Sequence, residues 1–81
     1  MSSRLYTILL DPDSETGTFT VTVPALPGVV TQGDTLEEAI AMAKDAIHLH
    51  VEALIAHGER VPEERSRPQL ITLAVPIHSA A

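Results

Sequence analysis

Cysteine and tryptophan are absent from the 81 residues, and Tyr6 and Phe19 are the only aromatics. Without cysteine the chain has no disulfide framework and no thiolate metal site. Without bulky aromatics its core must be assembled from Leu, Ile, Val and Ala. A single domain of this length buries only a modest share of its surface, so self-association is the remaining source of stability. Basic residues are also scarce: five Lys and Arg stand against eleven Asp and Glu, a net charge of −6. A nucleic-acid groove needs clustered cations. The nearest approach to a cluster, Arg60, Arg65 and Arg67, is interleaved with Glu59, Glu63 and Glu64. Direct DNA or RNA binding is therefore not expected, and the charge suits a basic protein partner. No apolar run approaches the roughly 18 residues a membrane helix needs. No signal-peptide core follows Met1-Ser2-Ser3-Arg4. The expected location is cytoplasmic, away from membranes.

What is present is punctuation. The run Leu5–Leu10 is apolar and reads as a first strand, about residues 4–10, buried on both faces. Asp11 to Gly17 reads as a turn. Thr18–Val23 then alternates strictly, the clearest strand in the chain. A short connection makes these two an antiparallel hairpin. Pro24 and Pro27 end the second strand because they lack a ladder donor. Residues 29–32 make a short third strand.

Thr35-Leu36-Glu37-Glu38 fits a capping box. From Leu36, the positions Ile40, Ala43, Ile47, Val51 and Leu54 recur at helical spacing. Gly58 supplies the stop, so the helix spans about residues 35–57. Residues 70–75 read as a fourth strand closed by Pro76, with residues 76–81 as a tail. The expected fold is α+β, in the order β-β-β-α-β. One mixed sheet carries the long helix on one face, with the fourth strand parallel to its neighbour. Another subunit is the expected cover for the second sheet face.

Candidate sites reduce mostly to corners. Asp11-x-Asp13-x-Glu15 imitates the start of a calcium loop, but the sixth and twelfth positions hold Thr16 and Thr22 instead of Gly and Glu. His50 and His57 lie in line on the helix, about 10 Å apart by its rise, too far for one ion. His48 and Glu52 are closer, at i and i+4, yet two ligands make no site. His78 is in the tail, and a site between subunits involving these four histidines is left open. Ser2, Ser3, Ser14, Ser66 and Ser79 lie in termini or loops without a nucleophile elbow. Gly28 and Gly33 form no phosphate-binding motif, and Asp34, Glu37 and Glu38 would repel an anion at the helix start. No catalytic residue, cofactor or metal is assigned, and the partner-binding residues are unknown at this level.

Taken in order, Leu26-Pro27-Gly28, Gln32-Gly33-Asp34-Thr35, Glu37-Glu38-Ala39, Ala43, Ala46-Ile47, Gly58-Glu59 and Val61-Pro62 form a pattern. It resembles the HicB family of antitoxins, and the resemblance runs from Leu5 to about Val75. A Cys often follows Leu-Pro-Gly in that family, where Val29 stands here. The resemblance implies a partial RNase H-like fold and assembly as a homodimer or homotetramer, in keeping with the self-association expected from size. It implies a partner too: a small basic ribonuclease toxin of the HicA type (an mRNA interferase), neutralised when the antitoxin occludes its active site. Full-length relatives carry a C-terminal DNA-binding domain, whereas this chain reaches Ala81 directly after the expected fourth strand. It is expected to be a short form without autorepression. An orphan, self-associating adaptor with no toxin is the alternative. A divalent-metal nuclease is the third reading, and it lacks an acid within either Leu5–Leu10 or Leu70–Val75.

Overall fold

The alternation along Thr18–Val23 decides the sheet. In the structure, a computed structural model that describes residues 3–78, this segment holds the central strand of three. β1 (Leu9–Pro12), β2 (Phe19–Thr22) and β3 (Val30–Gly33) lie side by side in chain order, antiparallel throughout. The first strand therefore sits later than the expected 4–10. Hairpin pairing selects the residues opposite Phe19–Thr22, whatever their hydrophobicity, and so draws Asp11 and Pro12 into the ladder. Pro12 is tolerated because β1 is an edge strand. The turn closes on itself: the Asp13 N–H donates to the Thr18 carbonyl (2.8 Å) and the Asp13 carboxylate accepts from the Glu15 N–H (2.9 Å). Gly17 takes a φ of 74° there, which glycine adopts at no steric cost.

Cross-strand pairing sorts the side chains into rows. Leu10–Val21–Thr31 and Pro12–Phe19–Gly33 face the helix, while Leu9–Thr22–Val30 and Asp11–Thr20–Gln32 face away. The outward rows are mostly polar, so hydrophobicity does not require a subunit to cover that face. The reading of Leu5–Leu10 as buried on both sides is likewise corrected. Leu5 is exposed, and Tyr6, Ile8 and Leu10 are half-buried side chains packed under the helix.

α1 (Leu36–Ala56) packs over β3 and β2. Thr35 caps it, its hydroxyl accepting from the Glu38 N–H at 3.0 Å. Glu38 reaches back to the Asp34 N–H (3.2 Å), one residue before the cap. We expect Thr35→Ala to lower stability by about 1 kcal/mol, seen as a lower urea midpoint at unchanged slope. At the other end Gly58 has a φ of 68°. Its N–H donates to Ile55 (3.0 Å) and that of Glu59 to Leu54 (2.9 Å), satisfying the last carbonyls.

The expected stripe of α1 holds in part: Ala43 is fully buried and Ile47, Val51 and Leu54 are half-buried. The other fully buried position is Ala39, beside that stripe, whereas Leu36 and Ile40 are exposed by 49% and 37%. The helix rides so close to β3 that only small side chains fit between them. The core has two adjoining parts: Val21 with Ala39 and Ala43, and Val23, Leu26 and Val29 with Ala46, Ile47 and Val51 around them.

The expected fourth strand is not formed at Leu70–Val75 among the described residues, so the mixed sheet gives way to an all-antiparallel one. A strand needs a neighbour for its backbone groups, and this segment lies beside none. Leu70, Ile71, Leu73, Val75 and Ile77 are each between 66% and 87% exposed. The chain is correspondingly elongated. Its radius of gyration is 16.5 Å, against about 12 Å for a compact domain of this length. Of the expected tail, residues 79–81 lie outside the described residues.

Candidate partner-binding surface

Phe19 pairs with both Pro12 and Gly33, which brings the β1–β2 turn and the start of α1 to the same end of the sheet. Asp11, Asp13, Glu15, Asp34, Glu37 and Glu38 are all exposed there, and no Lys or Arg occurs between Arg4 and Lys44. Local physics accounts for each group. Acids favour the positive end of a helix dipole, and Asp in a turn bonds its own backbone. The result is one strongly anionic end, whose field extends about 8 Å at physiological ionic strength.

The opposite end has a different character. After α1 the chain returns beside the N-terminal segment. The Tyr6 hydroxyl donates to the Pro62 carbonyl (2.6 Å), and both the N–H and the hydroxyl (2.8 Å) of Thr7 donate to the Glu64 carboxylate. Arg4 donates to the Val61 carbonyl at 3.4 Å and lies 3.8 Å from Glu63. This contact brings Arg4 beside Arg60 and Arg65 around a shallow hollow of about 460 Å³. Sequence reasoning missed that grouping, because Arg4 is 57 residues from its contact and nothing local announces the return. A second, larger groove of about 660 Å³ runs between the N-terminal segment and α1. Leu5, Tyr6, Ile47, Val51 and Ile55 line its apolar part.

The candidates read from sequence fall into separate places. His48 lies 3.7 Å from Glu52 on an exposed part of α1. His57 is the C-cap, with Nδ1 2.7 Å from the Ala53 carbonyl oxygen. His50 is half-buried near Gly28, and His78 is exposed. Ser2 and Ser79 lie outside the described residues. Asp11 is on β1, within the strand and not beyond it, but it is exposed. Among the described residues no three His, Asp or Glu side chains are grouped to hold a metal ion. No helix among them is long and apolar enough to cross a membrane.

Residues 6–73 match the model of a family described as the HicB-like antitoxin of bacterial toxin–antitoxin systems. The chain belongs to the HicB-like antitoxin family. A UPF0150 protein of Thermoplasma acidophilum is 43% identical over 61 residues, 75% of this chain and 87% of that one. Antitoxin HicB 1 of Photorhabdus laumondii is 42% identical over 57 residues, which are 70% of this chain but 36% of that protein. The crystal structure of the N-terminal domain of the Burkholderia pseudomallei antitoxin HicB superposes with a TM-score of 0.67. Its sequence identity is 39%, covering 76% of this chain and 72% of that one. The HicB-like features here are largely corners of the fold: the turn at Leu26-Pro27-Gly28, the close approach at Gly33, the Thr35 cap and the Gly58 stop. They position the anionic end and the groove.

Proposed function

We propose that this HicB-like chain is a non-enzymatic antitoxin module, acting in the cytoplasm. It binds a small basic ribonuclease of the HicA type and occludes its active site. Family membership across residues 6–73 carries this reading. The anionic end supports it, since six exposed acids with no neighbouring base speed the approach of a cationic partner and repel its RNA substrate. The acids steer the encounter; shape and apolar contact hold the complex.

Co-expression with a HicA-type ribonuclease encoded beside the chain's own gene tests the proposal. The expected result is rescued growth, a complex that survives purification, and loss of mRNA cleavage. Persistent cleavage with no complex at micromolar concentration would overturn it. In that event the second reading stands, a self-associating adaptor without a toxin, favoured by the exposed apolar segment Leu70–Ile77.

A further inference from the structure

The segment after Gln69 is the least explained part of the molecule. Leu70 to Ile77 contains no charged residue, and Ile71, Leu73, Val75 and Ile77 recur at alternate positions. In an extended chain those four share one face. An apolar, strand-forming edge left bare invites pairing with another chain. No hydrogen bond ties it to the remainder of the described residues.

The return segment shows why it finds no place on its own sheet. Val61, Pro62 and Glu64 run alongside Arg4, Tyr6 and Thr7 in the same direction. These contacts are made by side chains, through Arg4 Nη1, the Tyr6 hydroxyl and the Glu64 carboxylate, and set no strand ladder. Beyond them the chain leaves the line of β1, and Ser66 and Pro68 lie with Pro24 and Ala25 around one hollow past the end of β2. Leu70 therefore starts away from the edge that was expected to receive it.

We propose that this segment is an exchanged arm. The Leu70–Ile77 arm of one copy lies along a second copy, with the Ile71, Leu73, Val75 and Ile77 face in the groove between the N-terminal segment and α1. The second copy's arm does the same in return. Both halves of the contact belong to this chain, so two copies related by a two-fold axis satisfy both at once. The apolar lining at Leu5, Tyr6, Ile47, Val51 and Ile55 matches the uncharged arm. A basic toxin is a poorer occupant, because the arm offers it no acid. The proposal holds whether or not a toxin exists, and it supplies the missing strand from a second subunit.

The absence of cysteine makes the test clean. The doubly substituted chain Leu73→Cys with Val51→Cys is treated with a short bis-maleimide, and the same is done with Ile47→Cys in place of Val51→Cys. A covalent dimer on a denaturing gel is the expected product, absent from the single-cysteine variants. Light scattering of the unmodified chain should give a dimer or a multiple of one. Leu73→Asp should halve the apparent mass while leaving the helical circular dichroism intact, since Leu73 is 74% exposed in one copy. A monomeric wild type, a cross-link closed within one chain, a dimer insensitive to Leu73→Asp, or a dimer that cross-links at neither groove position would each overturn the proposal. Cross-linking by Leu73→Cys alone would do so as well, since it puts arm against arm.

Discussion

Gly33→Ala should destabilise the domain by about 3 kcal/mol, the upper part of the range for overpacking a close contact. Gly33 is buried at the end of β3, in the row that faces α1. A Cβ added there would sit 2.6 Å from the Cα of Ala39 and 2.9 Å from the carbonyl carbon of Glu38, besides meeting the Ala39 nitrogen. Those are backbone atoms of the first helical turn, and no side-chain rotation can move them aside. The helix must lift, and Ala39 and Ala43 would leave the Val21 cluster. A domain of this size has roughly 4–12 kcal/mol in all, at 0.05–0.15 kcal/mol per residue, so the loss is a large fraction. Gly28→Ala is the matched control: its Cβ would meet only the Cε1 of His50, at 3.8 Å. We expect that variant to stay within about 0.5 kcal/mol of wild type. Urea unfolding of the pair separates close backbone approach from a general dislike of replacing glycine. Equal midpoints for the two variants would refute the account.

The same close approach explains what was legible beforehand. The helix announced itself through Thr35, Glu38 and Gly58, because caps and stops are local chemistry. Which of its faces lies deepest was read less well. Ala43 stands in the expected stripe, but hydrophobicity also favoured Leu36 and Ile40, whereas the close approach at Gly33 favours Ala39, and space is a property of the assembled pair. β2 was legible from alternation alone. β1 was displaced because an unbroken apolar run carries no register of its own, so its partner chose the paired residues. The fourth strand could not be judged from composition, since strand formation depends on a neighbour that one copy does not provide. Arg4 beside Arg60 and Arg65 depended on a parallel return over 57 residues. The anionic end lay between these extremes. Its acids were visible, but only the pairing of Phe19 with both Pro12 and Gly33 brings the two groups together.

These dependencies connect stability to binding. The groove lies against the second core cluster: Tyr6, Ile47 and Val51 line the groove and also pack on Val23, Leu26 and Val29. A receiving surface built on core residues is held in shape by the core. Damage beneath it should therefore reach partner contacts without touching any exposed residue.

Leu26→Ala makes that link measurable, and a loss of about 3 kcal/mol is expected, within the range for large-to-small core changes. Leu26 is 1% exposed and among the largest fully buried side chains. Its place is fixed by two backbone bonds, Leu26 N–H to the Val23 carbonyl and Val29 N–H to that of Leu26, each 2.9 Å. The turn is therefore poorly able to collapse into the space left by the lost side-chain atoms. Phe19 packs on the other cluster, and Tyr6, the aromatic against this one, is tethered by its hydroxyl to the Pro62 carbonyl (2.6 Å), so it is not free to swing in and fill it. Val30→Ala, on the outward sheet face and 62% exposed, should change stability by less than about 0.5 kcal/mol. Both variants are to be compared by urea denaturation at one protein concentration, because self-association makes apparent stability concentration-dependent. If Leu26→Ala costs less than about 1 kcal/mol, the cluster is not the support assigned to it. If it costs the expected amount, self-association should also weaken, as Tyr6, Ile47 and Val51 lose the packing that shapes the groove.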